Sequence, residues 1–494
     1  MTFRPMTAGL ASVLALSASM ALAERTDIVL GMQLEPPHLD PTSDAAGAID
    51  SVLYSNVFEG LTRFGPDGSV GPGLARSWDI SEDGKVYTFH LAEGVKFHDG
   101  TTLDSEDVKF SLDRARGEDS ANAQKALFAG IESVEATDPA TVTVTLKNPI
   151  GNFLFNLAWG DAVIVAPESI DTIKTTPIGT GAFMFDGWTQ GDKIELKKNP
   201  EYWGTPAMLD AVTFKFISDP TAAFNAMMAE DIDVFTAFPA PENLPQFDAD
   251  PRFKVLIGST EGETILAMNN KMPPLDNIKV REAVAHAINR QEIIDGALFG
   301  YGTPIGTHFA PHNPDYLDLT SLSDYDPEKS KMLLEEAGVA LPIKLKMTLP
   351  PPSYARRGGE IVAAQLRAVG IEPQVENVEW AQWLETTFRG AHDFGFTIIS
   401  HTEPMDINIY ARPDYYFQYD NPEFQALIAE LDVESDPAKR SEMLKKAQTI
   451  IAEDYVNAFL FQLPLHTVAK VGVEGLWINA PTQAADVTGV HWTE

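Results

Sequence analysis

Three stretches of the chain alternate apolar and polar residues with the period of a half-buried strand: Val86 to Leu91, Val142 to Leu146, and Val212 to Ile217. In the last, Phe214 and Phe216 face one side, with Thr213 and Lys215 on the other, as period-two patterning requires. Further along, the apolar spacing lengthens to that of helices with clear punctuation. Asp326-Pro327, Asn421-Pro422 and Asp436-Pro437 each put a capping side chain before a proline at the first helical position, where a missing N–H costs nothing. Gly338 and Gly370 are expected to stop two of these helices. Val280 to Leu298 carries Val284, Ala287 and Ile288 at helical spacing above a polar face and reads as one helix packed on a sheet. The mixture predicts an α/β protein.

Strand patterning is dense up to about Phe216, whereas Asn277 to Asp454 is dominated by helices alternating with short strands such as Lys344 to Leu349. That shift predicts a boundary near Met268 to Pro274. A second apolar run, Ala458 to Leu465, follows the last long helix and is expected to carry the chain back to the first lobe. Two crossings make a hinge.

At the N-terminus, Arg4 precedes an apolar stretch from Ala8 to Leu16, and Ala21 and Ala23 form an A-x-A cleavage pattern. This reads as a signal peptide over residues 1–23, cut before Glu24, so an exported, periplasmic protein without a lipid anchor is expected. The stretch is too short to span a bilayer, which takes roughly 20 apolar residues. The chain has no cysteine, which removes a lipidated cysteine, disulfides and thiolate metal sites together. With 71 acidic against 36 basic residues and a net charge of −35, nucleic acid and anionic membranes are poor partners.

Catalytic signatures are missing. The sequence has no G-x-S-x-G, H-E-x-x-H, phosphate loop or calcium loop, and Gly179 to Gly181 fails as a dinucleotide fingerprint at its third glycine. His308 and His312 stand four apart, but Pro311 opposes the helix that would bring them to one metal. They read as surface or cleft-edge histidines, and His98 as part of an Asp99-Gly100 turn. The acid pairs Asp231/Asp233 and Glu261/Glu263 read as solvated strand-face carboxylates. No cofactor, no metal and no enzymatic activity are expected.

From Pro72 to Arg116 the sequence PGLARSWDISEDGKVYTFHLAEGVKFHDGTTLDSEDVKFSLDRAR resembles the family 5 solute-binding proteins, the peptide/nickel/opine group of ABC importers. PIGTGAFMF at 177–185, KKNPEYWG at 197–204, AMNNKMPPLDNIKVREAVAHAINR at 267–290, YDPEKSKMLLEEAG at 325–338, QLRAVGIEP at 365–373 and YDNPEFQALI at 419–428 continue the resemblance in order. It implies a two-lobed, type II-like periplasmic-binding-protein clam-shell. The first lobe would comprise 24–60, 175–268 and 465–494, a small inserted domain 61–174, and the second lobe 269–464. It also implies a monomer that captures a solute by closing and hands it to a membrane permease with its own ATPase.

The resemblance also suggests where the solute sits. Peptide binders of the group flank it with a tryptophan at the position of Trp380, while Trp383 is either core or cleft. An aspartate that pairs with the peptide ammonium falls here on Thr402, with Glu403 one residue on and Asp406 four on as replacement carboxylates. Arg412, Tyr415, Tyr416 and Phe417 could hold a carboxylate or stack on a ring, or simply cover the lobe's edge. Gln33, Leu34 and Glu35 sit where the group presents an edge strand, which Pro36 and Pro37 would shorten. A short peptide or peptide-like, amino-bearing solute is expected; an opine, a sugar conjugate or a chelated metal is the alternative.

Overall fold

The computed structural model of the protein describes residues 25–43, 46–403 and 405–493; the expected signal peptide lies outside them. The chain is a mixed α/β, two-lobed periplasmic-binding-protein fold. Among the described residues no helix is long and apolar enough to cross a membrane.

One large sheet runs through both lobes. From edge to edge its strands are Ile371–Asn377, Ile343–Leu349, Phe396–His401, Phe253–Met268, Asn457–Lys470, Val234–Phe235, Asp27–Met32, Ala211–Phe216, Lys193–Lys198 and Phe183–Thr189. The two longest, Phe253–Met268 and Asn457–Lys470, pair antiparallel along nearly their whole length; the first ends at Met268, where the boundary is expected, and the second contains the expected return run Ala458 to Leu465. Their register shifts between Ser259 and Glu263, an irregularity that re-aims side chains where the lobes meet. A separate four-stranded antiparallel sheet holds Ala75–Ile80, Val86–Leu91, Thr141–Leu146 and Ile131–Asp138, with the helix Ser105–Arg116 across it. Its core contains Tyr87, Phe89, Val108, Leu112, Val142 and Val144.

The three Asx-Pro helix starts form as read. Asp326 accepts from Lys329 N at 2.9 Å, Asn421 from Glu423 N at 2.9 Å, and Asp436 from Ala438 N at 2.9 Å, each contributing about 1 kcal/mol. Gly338 and Gly370 take φ values of 67° and 91° that only glycine adopts without strain. The segment expected as one helix from Val280 to Leu298 is two, Ile278–His286 and Arg290–Leu298. Asn289 breaks it by capping the second, accepting from Glu292 N at 3.2 Å. Asn289 followed by Glu292 three residues on is a helix-start signal that the continuous apolar periodicity masks, although the Glu292 carboxylate accepts from Gln365 Nε2 at 2.9 Å instead of closing back on the cap.

The motifs carrying the resemblance converge in space. Glu59, buried, accepts hydrogen bonds from Thr180 Oγ1, Tyr202 Oη and Trp203 Nε1, each at 2.8 Å. His98 of the FHDG turn bonds through Nε2 to Gly181 O at 3.0 Å and accepts from Gly179 N through Nδ1 at 3.3 Å, pinning the small sheet's domain to the G-T-G turn. Nδ1 accepts here and Nε2 carries the proton, so the ring is neutral.

Burial pushes the His98 pKa down from 6.5 to about 4. Between those values the unfolded chain binds the extra proton, so the stability His98 contributes is lost as pH falls from about 6.5 toward 4. Going from pH 7 to pH 5, the wild type is expected to lose about 2 kcal/mol more than His98→Asn. Urea midpoints at the two pH values measure this, and parallel losses in the two proteins would refute it.

A candidate solute-binding wall in the second lobe

Trp380 opens a short helical turn, Trp380–Trp383, just after the strand Ile371–Asn377. Its indole is 42% exposed and meets Trp383 edge-on at 5.7 Å. Trp383 resolves to core: it is buried, and its Nε1 donates to Thr397 Oγ1 at 2.9 Å. From Trp383 a chain of ring contacts runs outward to Phe388 at 5.7 Å, on to Tyr415 at 5.6 Å, and to Arg412, whose guanidinium lies 4.5 Å above the Tyr415 ring. A second branch runs from Trp383 to Tyr416 at 6.1 Å and to His401, stacked on Tyr416 at 6.1 Å. The segments 380–388 and 401–417, far apart in sequence, thus form one aromatic wall. Tyr416 and Phe417 are its buried backing.

The carboxylates divide. Thr402 and Glu403 are exposed, and Glu403 accepts a local bond from Thr402 N at 3.2 Å. Asp406 is nearly enclosed, with Oδ1 2.7 Å from His308 Nε2 and Oδ2 3.5 Å from His401 Nδ1. Against the cost of burial, these imidazoles hold its carboxyl well below the usual range, and burial pushes the His308 pKa down.

Glu261 and Glu263 depart from the expectation of solvated acids: both are buried. The crossover strand is continuously buried from Glu261 to Met268, so neither of its faces reaches water there. Glu261 is satisfied by His312, whose Nε2 lies 2.6 Å from Glu261 Oε1 and whose Nδ1 lies 2.6 Å from Ser259 Oγ. Ser259 N also donates to Asn479 Oδ1 at 3.0 Å, so the C-terminal segment, the crossing strand and a second-lobe loop meet there. Burial together with the charges of Glu261, Asp406 and Glu403 raises the Glu263 pKa well above that of an ordinary glutamate.

Of the two readings of the HFAPH pair, surface or cleft-edge, the surface one does not hold. The side chains of His308 and His312 are buried and turn to different partners, Asp406 and Glu261. On the first lobe, Leu34 is 68% exposed, and Glu35 accepts from Trp188 Nε1 and Gly191 N, both at 2.9 Å. Residues 33–35 lie past the end of Asp27–Met32, a strand paired on both sides, so they present no edge strand in this structure. Reading the sequence missed His401 and Tyr410 and took Glu263 for a solvated acid. The H-T-E-P-M-D run was the available signal, but its partner His308 lies 93 residues upstream, beyond any local periodicity.

Residues 69–412 match the bacterial extracellular solute-binding proteins, family 5 Middle. The chain is 31% identical over 495 residues to the glutathione-binding protein GsiB of Escherichia coli strain K12, covering 95% of each. Among solved structures it resembles a periplasmic binding protein, DppA from Helicobacter pylori in complex with the peptide STSA, at 25% identity and a TM-score of 0.73, covering 95% of this chain and 99% of that one. It also resembles a nickel ABC transporter protein from Bacillus halodurans at 25% identity and a TM-score of 0.84, covering 94% and 100%. With the family match spanning well over half its length, the chain belongs to the bacterial extracellular solute-binding proteins of family 5, the binding components of ABC importers.

Proposed function

We propose that this protein captures a short peptide or peptide-like, amino-bearing solute between its lobes in the periplasm and delivers it, as a monomer without catalytic activity, to a membrane ABC permease. The segment limits expected from the sequence, with 61–174 as the inserted domain, belong to the same reading. The observation that carries it is the exposed Trp380 indole on an aromatic wall beside four carboxylates, Glu261, Glu263, Glu403 and Asp406, close enough that the charges of the other three act on Glu263. An aromatic surface takes apolar groups of varied shape at low entropy cost. The acid excess favours a cation such as a free α-ammonium. Glutathione, named for the GsiB relatives, and the tetrapeptide of the DppA complex are both of this chemistry.

Because the oxygens of Asp406 already face two imidazoles, Glu403 is the carboxylate left to meet the ammonium, and Asp406 positions the histidines. Closure that contacts the solute from both lobes is driven by its higher affinity for the closed state.

A charge-assisted hydrogen bond contributes roughly 1.5–3 kcal/mol. N-acetylation of a bound peptide is therefore expected to weaken its binding at least tenfold, and Glu403→Gln to abolish most of that difference. Titration calorimetry with the free and acetylated peptide decides, and equal affinities would defeat the reading.

A further inference from the structure

Beneath the aromatic wall, His308, His401 and Asp406 each bring one nitrogen or oxygen within 4.8 Å of the others. The outer nitrogens of both imidazoles are also held. His308 Nδ1 lies 3.1 Å from Tyr410 Oη, itself 3.2 Å from Asn457 Nδ2, and His401 Nε2 lies 3.0 Å from Tyr416 Oη. Glu263 stands directly opposite His401 in the antiparallel pairing of their strands, so the two side chains project from the same face of the sheet. Glu263 is 3% exposed, and among the described residues its Oε2 has no hydrogen-bond partner. A buried carboxylate oxygen left without a donor is costly, a cost that a cation close by lowers.

We infer that His308, His401 and Asp406 form a binding site for a divalent transition-metal ion of the zinc or nickel kind, with Glu263 on the same sheet face beside His401. Two imidazoles with a carboxylate and no thiolate make a donor set that suits zinc, nickel or copper rather than magnesium or calcium. Tetrahedral ligands about 2.1 Å from an ion stand about 3.4 Å from one another. The 3.5 Å between His401 Nδ1 and Asp406 Oδ2 already has that spacing. The 2.7 Å between His308 Nε2 and Asp406 Oδ1 is a protonated contact, which opens by about 0.7 Å when the ion replaces the proton. The two tyrosine hydroxyls fix ring orientation from outside, as partners of metal-bound histidines do.

The donors come from three separate places: a loop, the end of the strand Phe396–His401, and the start of the turn Asp406–Ala411. An ion there ties those segments together under Glu403, Arg412 and Tyr415. It is a part of the wall and does not depend on which solute the cleft takes.

The test uses the tag-free, EDTA-dialysed protein in solute-free buffer, titrated calorimetrically with zinc chloride and with nickel chloride. One equivalent is expected to bind saturably and raise the melting temperature, and His401→Gln and Asp406→Asn are each expected to weaken binding at least tenfold while circular dichroism stays unchanged. Should a variant fail to fold, cobalt chloride added to the wild type decides: strong visible bands of a four-coordinate nitrogen–oxygen site support the inference. No saturable binding, binding that His401→Gln leaves unchanged, or only the faint spectrum of hydrated cobalt overturns it. Peptide binding that persists without metal leaves the function proposed above standing.

Discussion

Glu59→Ala is expected to lower the stability of the protein by about 3–5 kcal/mol, the cost of stranding buried hydrogen-bond donors. Three donors, the Thr180 and Tyr202 hydroxyls and the Trp203 indole N–H, would be left facing a cavity, and each buried unsatisfied group costs about 1–3 kcal/mol. Glu59→Gln keeps most of the volume and one acceptor, so about half that loss is expected. Urea denaturation at neutral pH measures both. A loss below about 1 kcal/mol for alanine would mean that water replaces the carboxylate without penalty.

The same node shows which parts of the fold were legible in the sequence. Strand alternation at Val86 to Leu91 and the three Asx-Pro caps are local, and the structure has them where the pattern put them. The two crossings were legible because long apolar runs bounded a change of periodicity. The motifs at 177–185 and 197–204 were legible as a resemblance, but their meeting on Glu59 was not, since nothing local links Thr180 to a residue 121 positions away.

The site was legible only in part. Trp380 stands exposed, whereas Trp383 went to the core, where its N–H finds Thr397. Glu261 and Glu263 misled because alternating acids look solvated on any strand that has one face in water, which the crossover strand does not. Asp406 and Glu403 look interchangeable in sequence. They separate once His308 and His401 are seen to engage one of them.

Trp380→Ala is expected to weaken solute binding at least tenfold and leave folding stability nearly unchanged. A tryptophan side chain of about 250 Å² that is 42% exposed has about 100 Å² left to cover, about 2.5 kcal/mol at 25 cal/mol per Å². Because the ring is 42% exposed and meets the buried Trp383 edge-on, its removal opens no core cavity. Calorimetric affinity and the urea midpoint should separate, the first falling and the second holding. If affinity holds as well, the solute does not lie against this wall.

The central claim, capture of a small amino-bearing solute, is tested most directly by the melting temperature of the mature protein in the presence of glutathione and a panel of di- and tripeptides. A ligand at 100 times its Kd adds about 2.7 kcal/mol, which for a chain of this length is a shift of about 3 °C. At least one member of the panel is expected to produce that shift, and its N-acetylated form to fall well short. A panel that leaves the melting temperature unmoved, while an opine or sugar conjugate raises it, would contradict the claim.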